Sequence, residues 1–261
     1  MDPILAPCCA RVLEALARRR ALLAFDLDGT LAPTVADPDA AALRPETRRL
    51  LKVTALLYPC AVVSGRRRSD ALARLEGIPL RAVVGTQGNE PGYGPVDRSV
   101  RELVATWREV LVGALPRGVR LEDKGLLLAI HHRGVEAARE VRRQLIALAS
   151  QLPGARVLLG RDVIHVTAED APGKGVALEA LRRREGLEAA LYVGDDASDE
   201  DAFRAWGVEV AVRVGRSARS AAAYYVPDQA AVDELLRALV RARAALDGRA
   251  DRAAALEAAL G

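Results

Sequence analysis

The chain has 261 residues, enough to bury a substantial core as one large domain or two modest ones. Its 38 Lys+Arg stand against 35 Asp+Glu, a net charge of +3 that suits an anionic small molecule and is too slight to argue for nucleic acid. No apolar stretch approaches the length of a membrane span.

Aromatic residues make up 3% of the chain, so aliphatic side chains and alanine must build its core. Cys8, Cys9 and Cys60 form an odd set without metal-ligand spacing, and adjacent Cys8 and Cys9 are poorly placed to bridge each other. A reducing compartment is the simplest reading. Asp2 and Pro3 open the chain without the basic and apolar regions of a signal peptide, so a soluble cytoplasmic protein is expected.

The first strand is the run Ala21-Leu22-Leu23-Ala24-Phe25, apolar on both faces like a parallel strand buried on both sides. Its carboxyl end carries Asp26 and Asp28 into the crevice where open α/β sheets bind ligands. Two acids there are costly to desolvate unless a cation or a proton accompanies them. Asp28-Gly29 is also a turn dipeptide, but a turn leaves Asp26 without a purpose.

Pro45 suits the first turn of a helix, with Leu50, Val53 and Leu57 on one face. Cys60-Ala61-Val62-Val63 reads as a second buried strand and delivers Ser64-Gly65-Arg66. The run Arg66-Arg67-Arg68 is the densest basic cluster near a motif, and its plain reading is a solvated face. A helix over 69–75 and a strand Ala82-Val83-Val84 follow, the latter delivering residues 85–90.

Pro91-Gly92-Tyr93-Gly94-Pro95 is the strongest punctuation in the chain and marks a domain boundary. Beyond it the rhythm changes. A helix is expected over 98–114, with Val100, Leu103, Trp107 and Leu111 at helical spacing. Strands over 119–123 and 126–132 flank Lys124-Gly125, a helix covers 135–152, and strands over 155–159 and 162–167 flank Gly160-Arg161. Residues 95–170 thus form an αββαββ insertion between two halves, 1–94 and 171–261, of a larger domain. It reads as a lid, with 91–95 as a hinge whose closure would exclude bulk water.

The parallel rhythm resumes after Pro172 with a helix over 175–184 and strands at Leu191-Tyr192-Val193 and 208–214. The tail over 232–260 is amphipathic, with Leu235, Leu236, Leu239 and Leu246 facing the sheet. Alternating strands and helices of this kind make an α/β fold with a mainly parallel sheet.

Four polar groups emerge from strand ends or helix starts: Asp26 with Asp28, Ser64, Lys174, and Asp195 with Asp196. Lys174 is one of only three lysines in a chain that otherwise uses arginine, which hints at a need for a compact ammonium. Ser64 also reads as a turn residue and Lys174 as a loop cation. In the acidic string over 194–201, Ser198 could cap a helix with Asp201 reaching back to it; capping leaves Asp195 and Asp196 unexplained. Asp26 and Asp195 on neighbouring strand ends make an all-oxygen site for a hard divalent ion, and Mg²⁺ fits it.

This order resembles the four motifs of the haloacid dehalogenase-like (HAD) phosphohydrolases. The resemblance implies a Rossmann-like HAD core in which Asp26 attacks phosphorus and forms an aspartyl phosphate, while Asp28 serves as acid and base. Thr30, Ser64, Gly65 and Lys174 would hold the phosphoryl oxygens. Mg²⁺ would sit on Asp26, Asp195 and the Asp28 carbonyl, with Asp196 and Asp199 behind these ligands.

The insertion lies where the C2B type of cap lies in this superfamily. Within that group the chain is most similar to trehalose-6-phosphate phosphatases, through residues 194–201, Glu122-Asp123-Lys124-Gly125 and His131-His132-Arg133. That likeness implies that Arg66, Glu122, Lys124 and His165 contact the sugar of a small sugar phosphate. A monomer is expected, and the charge balance and the lack of a long apolar stretch point to neither nucleic acid nor membrane as a partner. The plain reading of Glu122 and Lys124 is a charged hairpin tip. Two positions depart from the family pattern: His165 stands where a cap glutamate is usual, and Gln87 where a histidine precedes glycine. Phosphatases of sucrose 6-phosphate or glycosyl-3-phosphoglycerate, a phosphomannomutase-like mutase and a non-catalytic module remain as alternatives.

Overall fold

The computed structural model describes residues 1–35, 40–92, 98–160 and 162–246. Most of the expected hinge, Arg161 of the expected turn and the tail beyond residue 246 lie outside the described residues.

The chain divides into two compact units, Met1–Gly92 with Gly173–Asp195 and Asp199–Gly261, and Tyr93–Pro172 with Asp196–Ser198. The first unit opens with β1 (Asp2–Pro3), α1 (Ala10–Ala17), β2 (Ala21–Phe25), α2 (Pro45–Leu57), β3 (Cys60–Val63), α3 (Arg68–Arg74) and β4 (Ala82–Val84). The second unit follows with α4 (Arg98–Val112), β5 (Arg120–Asp123), β6 (Leu127–His131), α5 (Ala138–Ser150), β7 (Ala155–Leu159) and β8 (Val163–Ala168). The chain then returns to the first unit with α6 (Lys174–Arg184), β9 (Ala189–Gly194), α7 (Glu200–Phe203), β10 (Val208–Val214), β11 (Tyr224–Val226) and α8 (Ala231–Leu246).

The first unit is built on a seven-stranded sheet in the order β1-β11-β10-β9-β2-β3-β4, parallel throughout. Alternation along β2 sends Leu23 and Phe25 to one face and Leu22 and Ala24 to the other. Leu23 and Phe25 join a core with Leu13 and Leu16 of α1, Leu50 and Leu51 of α2 and Leu235, Leu236 and Leu239 of α8. Leu22 and Ala24 join a second core with Leu178 and Leu181 of α6 and Phe203 of α7. Burial on both faces is why these strands read as unbroken apolar runs. Polar pins fix α8 against α2 and the residue that ends it: Thr47 donates to Asp233 Oδ1 at 2.7 Å, and Tyr58 donates to the Leu239 carbonyl at 2.8 Å.

From β2 the chain winds one way to β3 and β4, and from β9 the other way to β10 and β11. The switch point therefore lies between β2 and β9, which pair with Phe25 opposite Val193. Ligands bind outside the carboxyl ends of strands at such a point. Asp26 and Asp195 lie just past those two ends.

The second unit is an antiparallel sheet in the order β5-β6-β8-β7. Trp107 and Leu111 of α4 and Leu145 and Ala149 of α5 pack on one face, against Leu128, Ile130, Ile164 and Val166. The Trp107 indole donates to the Pro153 carbonyl at 3.0 Å. Cross-strand register sets Glu122 opposite Ala129 and Ala129 opposite His165, so Glu122 and His165 share the face away from those helices. Among the described residues, no helix is long and apolar enough to cross a membrane.

Candidate active site

Asp26 ends the buried strand β2, and its N–H donates to the Val193 carbonyl at 2.8 Å, which locks it beside β9. Its carboxylate is buried. Lys174, the first residue of α6, donates to Asp26 Oδ1 at 2.7 Å and to Asp199 Oδ1 at 2.8 Å. Asp199 is fully buried, accepts from the Tyr192 hydroxyl at 2.7 Å, and through Oδ2 accepts the Asp195 N–H at 3.0 Å.

The capping reading therefore does not describe Asp199. It is the N-terminal flank of α7 but makes no side-chain cap there, because its oxygens are committed to Lys174, Tyr192 and Asp195. Asp201 likewise reaches out to the start of α6, accepting the Gly175 N–H at 3.0 Å.

Asp26, Asp195 and Asp199 each offer a carboxylate oxygen within 4.8 Å of the others. Burial is the first cause pushing the Asp26 pKa well above its ordinary value; Asp199 and Asp195 add to it and Lys174 opposes it. For Lys174, burial disfavours the charge, but Asp199 and Asp26 outweigh it and hold the ammonium protonated. Three carboxylates thus share one ammonium. The excess negative charge and the all-oxygen donor set fit a hard divalent cation.

Gly29, at φ +85°, makes this packing possible: a Cβ there would collide with the Asp195 carboxylate. Asp28 lies apart from the three clustered acids. Arg66 grips it in a fork, Nε to Oδ2 and Nη2 to Oδ1, both at 2.7 Å. Asp196 accepts the Ala197 N–H at 2.7 Å.

Ser64-Gly65-Arg66 follows β3 as a fixed loop. The Ser64 carbonyl accepts the Gln87 N–H at 3.0 Å, and the Arg66 carbonyl accepts the Thr86 N–H at 2.6 Å. Thr86 and Gln87 both adopt left-handed backbone, with φ of 52° and 59°, a conformation that non-glycine residues hold only when their surroundings impose it. A Cβ on Gly65 would lie 2.7 Å from Gln87 Nε2, so the Gln87 side chain would have to shift for any larger residue. Thr30 is fully buried, and its hydroxyl has no hydrogen-bond partner among the described residues.

The basic run over 66–68 is not one solvated face. Arg66 is buried, Arg67 exposed and Arg68 intermediate. In the second unit Glu122 accepts from His131 Nε2 at 2.8 Å, with Lys124 Nζ 3.8 Å away. The hydrogen bond from His131 is the first cause holding the Glu122 pKa at about 2. His165 is buried on the same sheet face. Sequence reasoning missed the links of Asp199 to Lys174 and of Arg66 to Asp28; the acidic string hid the first, and an arginine in the loop that leaves a buried strand, three residues past Val63, was the one cue to the second.

A sequence model of the trehalose-phosphatase family matches residues 24–229. The chain belongs to the trehalose-phosphatase family. Members of this family are phosphoric monoester hydrolases. A relative from Oryza sativa subsp. japonica, probable trehalose-phosphate phosphatase 9, is 31% identical over 89% of this chain and 73% of its own length. The C-terminal domain of the trehalose-6-phosphate phosphatase of C. albicans superposes with a TM-score of 0.71 at 22% identity, covering 92% of this chain and 98% of that one. A subclass IIB sugar phosphatase of the HAD superfamily superposes at 0.58 and 14% identity, covering 85% of this chain and 97% of that one. The last two likenesses bear on fold alone, and the fold is that of a HAD core with an inserted cap.

Proposed function

We propose that this protein is a Mg²⁺-dependent phosphatase that hydrolyses trehalose 6-phosphate to trehalose and phosphate through an aspartyl phosphate on Asp26. The observation that carries the reading is the convergence of Asp26, Asp195, Asp199 and Lys174 at the switch point of the sheet. Membership of the trehalose-phosphatase family supports the choice of substrate.

In this reading a carboxylate oxygen of Asp26 attacks phosphorus, which splits one displacement into two. Lys174, with the Thr30 hydroxyl and the Ser64-Gly65 loop, holds the phosphoryl oxygens and keeps a dianion from being repelled by the acids. Asp28 gives a proton to the departing sugar oxygen and takes one from the incoming water. Asp26 and Asp195, with the Asp28 carbonyl, would hold Mg²⁺, which supplies charge stabilisation to the phosphoryl group; Asp199 fixes Lys174 and the Asp195 backbone, and Asp196 stands behind the ligands.

Residues 95–170 act as the specificity cap on a core formed by 1–94 and 171–261. Glu122, Lys124 and His165 meet sugar hydroxyls, His165 replacing a glutamate with a neutral or cationic donor. We further infer a monomeric cytoplasmic enzyme.

Phosphate release across trehalose 6-phosphate, sucrose 6-phosphate, a glycosyl-3-phosphoglycerate and simple hexose phosphates, with and without Mg²⁺, tests the reading. Preference for trehalose 6-phosphate is expected. Indifference among hexose phosphates, or release only with a bisphosphate activator, would overturn it.

A further inference from the structure

Arg66 is nearly buried, its side chain 9% exposed, whereas the Asp28 side chain it holds is 41% exposed. Burying a guanidinium is costly unless its charge and donors are matched. Here two donors meet both oxygens of Asp28 at 2.7 Å, and a third, Nη1, meets Asp70 Oδ2 at 2.8 Å. Asp70 is itself held by Arg74. The Arg66 backbone is pinned at both ends, its N–H donating to Ser64 Oγ at 3.1 Å and its carbonyl accepting from Thr86. The whole chain of contacts ends on one carboxyl, two residues beyond Asp26.

We propose that Arg66 is a positioning residue for proton transfer: by gripping both oxygens of Asp28 it fixes the plane and direction of the carboxyl that exchanges a proton with the leaving sugar oxygen. This deepens the function proposed above and rests on its assignment of Asp28. In the first half-reaction an Asp26 oxygen–phosphorus bond forms and the phosphorus–sugar oxygen bond breaks. The electron pair stays on the sugar oxygen, which takes the Asp28 proton. The new carboxylate is formed inside the guanidinium fork. In the second half-reaction that carboxylate takes a proton from water as its oxygen bonds to phosphorus and the Asp26–phosphorus bond breaks. Free phosphate leaves and Asp28 carries the proton again.

A mere structural clamp, or a direct contact with the sugar, would affect every ester of the same sugar alike. Proton donation would not. In trehalose 6-phosphate with sulfur replacing the bridging oxygen, the departing thiolate has far less need of a proton, because a thiol is a much stronger acid than an alcohol and a thiolate leaves far more readily than an alkoxide. The sugar is otherwise the same. The quantity to read is kcat/KM, which reports the steps through the first bond cleavage.

Arg66→Gln, Arg66→Lys and Asp28→Asn are assayed on both esters with Mg²⁺, after thermal unfolding shows that each variant folds. The Arg66 variants are expected to lose about 10- to 100-fold on the oxygen ester, part of the usual contribution of an acid–base group, and under about threefold on the sulfur ester. Lysine should not rescue, because it lacks the planar fork. Asp70→Asn, which weakens the support behind Arg66, is expected to give a smaller loss of the same selectivity and carries the test should the Arg66 variants fail to fold. Equal losses on the two esters in the Arg66 and Asp70 variants, with Asp28→Asn still discriminating, would overturn the inference alone. Equal losses in Asp28→Asn would instead remove the assignment of Asp28 on which it rests.

Discussion

Lys174 holds Asp26 at 2.7 Å and, from the first residue of α6, closes the distance between two stretches of chain 148 residues apart. The ammonium is as much a part of the folded core as of the site, since it also neutralises fully buried Asp199. Local charge balance at the switch point depends on it.

Replacing Lys174 by Met therefore leaves buried carboxylates uncompensated. Breaking a buried pair in this way costs about 3–5 kcal/mol. Urea unfolding should show a loss of that order, partly recovered by millimolar Mg²⁺, and phosphatase turnover should be lost. An unchanged unfolding midpoint would contradict the charge balance described here.

Chelation of divalent metal is expected to abolish turnover and Mg²⁺ to restore it. A cation that binds only the folded state stabilises it by about 2.7 kcal/mol at a hundredfold excess over its dissociation constant. The thermal midpoint should therefore rise with added Mg²⁺ in the parent and much less in Asp195→Asn. Equal rises in the two proteins would place the ion elsewhere.

Gly29→Ala carries two penalties, a positive φ and a collision with the Asp195 carboxylate. Where the native conformation is incompatible with a side chain, such a change costs more than about 1 kcal/mol. Lower stability and a raised Mg²⁺ requirement are expected together, measured by thermal unfolding and by activity against Mg²⁺ concentration.

Glu122 gives a pH dependence of defined sign. Its folded pKa, about 2, lies below its ordinary value of 4.5 because His131 and Lys124 favour the carboxylate. The stabilisation is thus present above about pH 4.5 and is lost as pH falls from there towards 2. Glu122 is about one-third exposed, so screening holds the effect to under about 1 kcal/mol. Fluorescence of Trp107, buried in the same unit, should show Glu122→Gln less stable than the parent at pH 6, with the gap narrowing towards pH 3. A gap that widens on acidification would contradict the pairing.

The parallel core was legible because its strands are buried on both faces: Ala21–Phe25 and Cys60–Val63 could hardly be anything else. The same logic placed Asp26 and Asp195 at strand mouths. What could not be read were partners set by tertiary packing. Asp199 sits in an acidic string before a short helix, and local rules favour capping there; only its burial beneath Tyr192 and Lys174 shows its use. Arg66 and Asp28 are 38 residues apart, and no periodicity links them. A charge run also conceals how its members differ, as Arg66 and Arg67 do. β1, two residues paired with β11, has too little sequence to carry a strand signal, and α1 lies ahead of the first apolar run that marks the fold.

The most direct test is turnover of trehalose 6-phosphate by Asp26→Asn, freshly prepared, folded by circular dichroism and free of deamidation by intact mass. An amide cannot form the acyl phosphate, so activity should fall by at least about 10⁴-fold, in line with loss of a covalent nucleophile. Turnover at the parental rate would mean that phosphorus is attacked by something other than residue 26.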